Sequence, residues 1–473
     1  MIDEVTTTEA RKAPALVRGL GAWAAAAIVV GAMIGQSIFL VSGDMSREVG
    51  SAGKVLAVWI VGGVVVLFGA FCYAELGAAL PEADGDYIYL SRGFGPTLGF
   101  LYGWTSALIM RPGSASIIAA GLSRAAGFFS ASITSPIFVW SVAIPFQPQP
   151  CQFTITAAQL LSAATVVVVT GMNYLGVRTA GRFQVALTTL KVLAVAAILG
   201  LGFLAGGHSA AHTAEGVAPL HGVWTGCLLA LVPVMAAYNG FQFLGSVGGE
   251  VANPETNLPR AAIAGTTLVV GLYLLANWVY FHVLTFSEVA QSQHVASDTV
   301  AKVVGSSGAK WFTVVMILSA FGSLHATFLT GPRVPFAMAR DGLFFGFAKR
   351  VHPLFHTPSG AVIFQGCISV LLVLTGTYQE LYSYTMFGTW IFLALTAFAL
   401  IRLRVRERDL ARPFRVWGYP WTPLVFATAA IAMTANLLWL RPGRSLLGVA
   451  VILLGLPFFH HWRKQASAVE GNP

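Results

Sequence analysis

The chain has 473 residues, of which 56% are hydrophobic and only 10% charged. Soluble domains carry about 25% charged residues, so most of this chain is built for a bilayer rather than for water. The net charge of +9 does not point to nucleic acid, because the basic residues fall in short segments between apolar runs, where they set membrane orientation.

Twelve apolar runs are long enough to be spanning candidates, at about 20 residues per span. They cover 19–43, 55–80, 97–126, 155–172, 183–205, 223–247, 261–284, 311–332, 361–376, 381–401, 423–440 and 445–462, the fourth and ninth being short. The first run exceeds the 7–15 residues of a signal-peptide core and no small-residue cleavage site follows it, so it is expected to remain as a span. Of the 28 Lys and Arg residues, nineteen lie on the amino-terminal side of the runs and seven on the other. Both termini are therefore expected in the cytoplasm of a cell-membrane protein, as tails at 1–18 and 463–473. Cys72, Cys227 and Cys367 lie inside runs and Cys151 in a loop. No pair has metal-ligand spacing, so neither a metal, a cofactor nor a disulfide framework is expected.

Run 1 carries Gly31-Ala32-Met33-Ile34-Gly35-Gln36-Ser37 at mid-depth. A helix interrupted there must line a cavity or bind something, since lipid leaves backbone groups unpaired. Runs 2, 3 and 5 each hold an ionisable residue, and these are functional candidates by default. Glu75 sits near the inner end and suits a structural pairing with basic loop residues. Arg111 precedes Pro112 and is read as structural, satisfying a carbonyl that the proline frees. Lys191 lies too close to mid-membrane to reach an interface, and is read as a coupling or switching residue. Run 6 repeats the oddity of run 1, with Pro233 and the turn-forming pair Asn239-Gly240. Runs 1 and 6 each open a set of five, and five is odd, so the second set (223–401) is the first (19–205) upside down, with 423–462 appended.

An interrupted helix offers N–H groups at the start of its second half and C=O groups at the end of its first. The former attract a carboxylate, the latter an ammonium group. Gln36 and Ser37 supply the first kind, while Met33, Ile34, Ala236, Ala237 and Asn239 supply the second. An α-amino acid satisfies both at once. Ala236, Tyr238, Phe241, Phe387 and Trp390 form a candidate wall with no acidic residue, which suits small or apolar neutral amino acids.

Several motifs along 22–427 resemble the amino acid–polyamine–organocation permeases, in particular the L-type amino acid transporter branch. They are Cys72-Tyr73-Ala74-Glu75-Leu76-Gly77 with Gly85-Asp86-Tyr87-Ile88-Tyr89, and Tyr238-Asn239-Gly240-Phe241 with Asn257-Leu258-Pro259-Arg260. Phe321-Gly322-Ser323-Leu324 with Ala337-Met338-Ala339-Arg340-Asp341-Gly342, and Phe387-Gly388-Thr389-Trp390 with Arg412-Pro413-Phe414, complete the set. The resemblance implies an all-α LeuT-like fold of twelve transmembrane helices, a 5+5 inverted repeat plus two, with helices 1 and 6 discontinuous. It implies sodium-independent alternating-access transport, with substrate at Met33, Gly35, Gln36, Ser37, Ala236, Tyr238 and Asn239. It further implies that Lys191 stands in for a sodium ion between spans 1 and 8, with Ser319 and Ser323 as partners. Three departures stand out. Gly35-Gln36-Ser37 replaces the usual Gly-Ser-Gly, Ala236 replaces a gating aromatic, and His325 stands where asparagine is common and is a candidate proton carrier. Eukaryotic relatives pair a loop cysteine with a heavy chain; Cys151 lies in that loop, but its surroundings do not indicate such a partner. The leading reading is a transporter of neutral L-amino acids, by exchange or proton-coupled uptake. The alternatives are a sensor that binds without transport, or a transporter of other amines or polyamines. No enzyme motif is present.

Overall fold

A computed structural model describes residues 20–35, 37–81, 85–142, 151–175, 177–204, 222–246, 248–355, 357–375, 378–440 and 442–470. The tail 1–18, Gln36 and the side chain of Cys151 lie outside the described residues. Every one of the twelve runs is helical, as apolar chain in lipid must be to pair its own backbone groups. Run 1 is two helices, Ala22–Met33 and Ser37–Val49, which meet at 41°. Run 2 is Ala52–Ala79. Run 3 spans Pro96–Thr105, a π turn at Ser106–Met110, and Arg111–Ala126. Runs 4 and 5 are Ala157–Leu175 and Val177–Leu204, and run 6 is Val223–Ala237 with a short Phe243–Ser246 beyond a turn. Runs 7 to 12 are Pro254–Val283, Ser306–Thr330, Ser359–Thr375, Tyr378–Arg406, Trp421–Leu440 and Pro442–Glu470, so the last helix runs on through most of the expected tail.

Among the described residues eight helices are long and apolar enough to cross a membrane, nine when the bent pair of run 1 is taken as one span. Their outward faces keep large apolar side chains exposed, for example Ile60, Val61 and Val64 on run 2 and Leu446, Leu453 and Leu454 on run 12. Such a surface is an aggregation liability in water and suits hydrocarbon. Exposed tryptophans mark both rims: Trp23, Trp417 and Trp421 at one, Trp140, Trp224, Trp311 and Trp439 at the other. The chain is a multi-pass membrane protein.

The helices sort into two groups. Runs 1, 2, 6 and 7 pack on one another, as do runs 3, 4, 8 and 9, while run 5 touches runs 1, 7 and 8. Runs 1 to 4 each pack against the run five places further along: 1 on 6, 2 on 7, 3 on 8 and 4 on 9.

The structure is helical as the all-α class expects, with one β element added between the helices. The segment between runs 3 and 4 is an antiparallel hairpin, β1 Pro136–Val142 and β2 Cys151–Thr156. Its β-branched and aromatic residues, Ile137, Phe138, Val139 and Trp140 opposite Phe153, Thr154 and Ile155, favour strand over helix.

At the rim rich in Arg, Glu75 is buried and accepts both from the Arg404 guanidinium, at 2.7 Å to Nε and closer still to Nη2, and from the Val416 N–H at 2.7 Å. Arg412 adds a second cation 3.6 Å away. This ties run 2 to the end of run 10 and the loop after it. Glu75→Gln leaves two mostly buried guanidiniums short of their anion, a loss of about 3–5 kcal/mol. The purified variant is expected to melt well below wild type; an unchanged melting temperature would show the clamp to be energetically idle.

Candidate functional site

The first half of run 1 ends at Met33, where Ile34 N–H still bonds Val30 O and Gly35 N–H turns back to Met33 O at 2.8 Å. The second half starts at Ser37, and the N–H groups of its first turn have no partner within the helix. Run 6 breaks after Ala237, four residues beyond Pro233, through turns at 238–242. The two breaks touch backbone to backbone. Gly240, at φ 136°, lies so close to run 1 that a Cβ there would stand 2.8 Å from Ala32 C and 2.9 Å from Met33 N.

Two side chains hold the broken ends. Lys191, buried at mid-membrane, donates to Gly31 O at 2.9 Å and to Ser323 Oγ at 2.6 Å, and Ser323 Oγ in turn reaches Ile34 O at 3.3 Å. The ammonium thus sits at the negative end of the Ala22–Met33 dipole and joins it to run 8. Tyr273 of run 7 donates to Met33 O at 2.7 Å and lies 3.4 Å from Ala237 O, bridging both breaks. Ser319, one turn from Ser323, is not joined to Lys191; its hydroxyl is buried without a hydrogen bond. His325 is buried on the same helix.

Four of the five expected acceptors are therefore already engaged, and Met33 O is taken twice, by Tyr273 and by Gly35 N–H. Met33 O and Ala237 O face Tyr273, Ile34 O faces Ser323, and Ala236 O accepts from Asn239 N–H at 3.1 Å.

The aromatic wall is arranged differently from the sequence-based expectation. Tyr238 turns to run 2, 3.4 Å from Trp59 O and stacked on Tyr273. Phe241 packs edge-on to Tyr73, Phe387 abuts Gly448 of run 12, and Trp390 faces Phe426 of run 11. Run 10 instead presents Thr389, Phe392 and Leu393 to a small recess with room for about one water. Asn239, Gln242, Phe243, Tyr73, Asp86, Tyr102, Met110, Arg111 and Ser114 complete its lining. Arg111 does not serve the backbone near Pro112, as the sequence had suggested. The π turn makes room for that proline by moving the Arg111 N–H bond back to Ser106 O. The guanidinium then lies 4.0 Å over the Phe243 ring and donates to Ser246 Oγ at 3.1 Å.

Three further residues escaped the sequence reading. Gln242 accepts from Gly240 N–H at 3.0 Å and donates to Asn239 Oδ1 at 2.5 Å, closing the run 6 turn on itself; its amide three residues after Asn239 was the available signal. Tyr273 carries no signal in the sequence beyond a tyrosine in an apolar run. Asp86, on the connecting helix Gly85–Phe94, accepts from Tyr73, from Tyr102 at 3.2 Å and from Thr396 at 3.0 Å. Burial pushes its carboxyl above the usual range, and those hydroxyls together with Arg111 pull it back.

Residues 20–455 match the amino acid permease family. The chain belongs to that family. The permease is 31% identical over 420 residues to the b(0,+)-type amino acid transporter 1 of Mus musculus, which covers 87% of this chain and 80% of the relative. It is 28% identical over 458 residues to the serine/threonine exchanger SteT of Bacillus subtilis (strain 168), covering 96% and 98%. To the cystine/glutamate transporter of Homo sapiens it is 29% identical over 435 residues, covering 92% and 83%. These relatives are transporters, the family is that of the L-type resemblance, and the permease is an amino acid transporter.

Gly240→Ala forces a Cβ into the run 1 backbone and strains a positive φ, so the variant is expected to reach the membrane but transport at background level; wild-type uptake would mean that the breaks do not meet this closely during transport. Ser323→Ala removes an acceptor of the Lys191 ammonium and should lower the melting temperature by the equivalent of about 1.5–3 kcal/mol. Ser319→Ala deletes an unpaired buried hydroxyl and should be neutral or stabilising; the reverse order of effects would place the lysine elsewhere.

Proposed function

We propose that the permease is a sodium-independent exchanger of small or apolar neutral L-amino acids, working by alternating access in a cell membrane. In this reading it has twelve spans in a LeuT-like 5+5 inverted repeat plus two, both termini are cytoplasmic, and no covalently attached subunit takes part. The substrate lies where the breaks of runs 1 and 6 cross, near Met33, Ile34, Gly35, Gln36, Ser37, Ala236, Ala237, Asn239 and Gly240. Its carboxylate meets the first turn of Ser37–Val49, and its ammonium group meets the carbonyl ends.

The observation that carries the reading is the Lys191 ammonium between Gly31 O and Ser323 Oγ. A fixed cation there does the work that a bound sodium ion would do, and exchange lets it stay charged throughout the cycle. The inverted repeat draws support from the pairing of each of runs 1 to 4 with its counterpart five runs on, as a two-fold axis between the halves requires. Neutral substrates are favoured because the recess beside the breaks is lined by one acid and one base, Asp86 and Arg111, with no net charge.

Purified permease in liposomes, tested with tritiated L-serine, L-threonine, L-alanine and L-leucine in sodium-free buffer, decides the matter. Uptake is expected only into vesicles preloaded with one of these amino acids. Uptake into empty vesicles driven by an inward proton gradient would replace exchange by symport. Binding seen as thermal stabilisation with no flux for any of the four would replace transport by sensing.

A further inference from the structure

Arg124 stands near the end of run 3 and Arg178 near the start of run 5, and the sequence between them holds no Lys, Arg, Asp, Glu or His. The hairpin of β1 and β2 lies inside this uncharged stretch. Phe138, Val139 and Trp140 pair in register with Ile155, Thr154 and Phe153. Successive side chains on a strand point to opposite faces, so Phe138 and Trp140 share one face and Val139 takes the other. All three are exposed, at 62%, 75% and 60%. Both faces of β1 are therefore apolar and open.

A ribbon of two strands is at best marginally stable alone in water, and an apolar patch of this kind marks a surface that is covered by something. Two observations say what covers it. The hairpin runs straight into the lipid-facing surface of the protein: β2 ends at Thr156 and run 4 begins at Ala157. Run 4 is the least buried of the eight described spans, with Leu160, Leu161, Val167 and Val168 exposed along it, and β2 packs on it. A protein partner, in contrast, takes its orientation from complementary charge, and this stretch offers none. Depth follows from the backbone. The outer edges of a two-stranded ribbon keep N–H and C=O groups that hydrocarbon cannot pair. The headgroup layer can pair them, and it is also the level at which tryptophan rings settle. Trp140 shares its rim with Trp224, Trp311 and Trp439.

We infer that phospholipid is the partner of this surface: the hairpin lies in the headgroup layer of the leaflet opposite the Arg-rich rim. Because it leaves run 3 and enters run 4, it fastens the group of runs 3, 4, 8 and 9 to that leaflet. This requires only that the chain spans a bilayer and is independent of the exchanger reading above.

The test uses the full chain with its four cysteines replaced by alanine, in vesicles of phosphatidylcholine and phosphatidylglycerol. Phe138→Cys and Val139→Cys, one for each face, carry a nitroxide, and Gln293→Cys on an exposed loop position serves as the control in water. Oxygen, which concentrates in lipid, is expected to collide with the labels at 138 and 139 more often than a water-soluble nickel chelate does, with the order reversed at 293. Adding Trp140→Asp to the Val139→Cys chain is expected to raise the nickel collisions at 139, since a carboxylate draws the ribbon towards water. Nickel dominating at 138 or 139 overturns the proposal by standing that face in water. Few collisions with either reagent at both positions overturn it by making a second copy of the chain the cover. If the cysteine-free chain is not monodisperse, the native chain decides. The emission that Trp140→Phe removes is expected to be quenched more by bromines near the headgroup end of the acyl chains than by bromines at the chain ends, and no quenching by either overturns the proposal.

Discussion

A single ammonium group at the end of a broken helix is the constraint on which the rest of this structure depends. Ala22–Met33 stops in the middle of the membrane, so its last carbonyls carry partial negative charge where no water can answer it. Lys191 answers from run 5, through Gly31 O directly and through Ser323 to Ile34 O. Because the lysine also draws in run 8, the same contact joins the group of runs 1, 2, 6 and 7 to the group of runs 3, 4, 8 and 9. A transporter that rocks one group against the other must pass its load through this junction.

The second constraint is close approach. Two helix breaks can share a ligand only when their backbones meet, and Gly240 is the residue that lets them. Tyr273 then fastens both carbonyl ends with one hydroxyl, and Gln242 ties the run 6 turn to itself. The result is a crossing whose polar groups are engaged but not saturated. The N–H groups in the first turn of Ser37–Val49 stay without a partner inside their own helix.

The rims show how a membrane protein uses its few charges. Glu75 gathers Arg404 from the end of run 10 and Arg412 from the loop after it, and Asp86 gathers three hydroxyls from runs 2, 3 and 10. Both lie at the Arg-rich end. At the opposite end the backbones come close at Gly43, beside Ser292 O, and at Gly226, beside Glu48 O.

Much of this was legible in the chain itself. Hydrophobic run length alone located the helices, since lipid permits little else, and Gly35 and the Asn239-Gly240 pair marked the breaks because such residues are wasteful in a plain span. Lys191 announced itself by depth. What the sequence could not determine was direction around a helix. Residues 387 and 390 point away from 389, 392 and 393 because successive side chains on a helix advance by 3.6 residues per turn. Which face looks inward depends on neighbours far away in the chain. The hairpin at Pro136–Val142 and Cys151–Thr156 is local in composition but was hidden by the all-helical pattern around it. Tyr273 at the breaks, and Asp86 and Arg111 at the recess, acquired their meaning only by convergence, since packing alone brings each to its partners. Sequence determined that this chain crosses the membrane and breaks two of its helices. Tertiary structure alone decided what meets at the breaks, because that depends on contacts between residues more than a hundred positions apart.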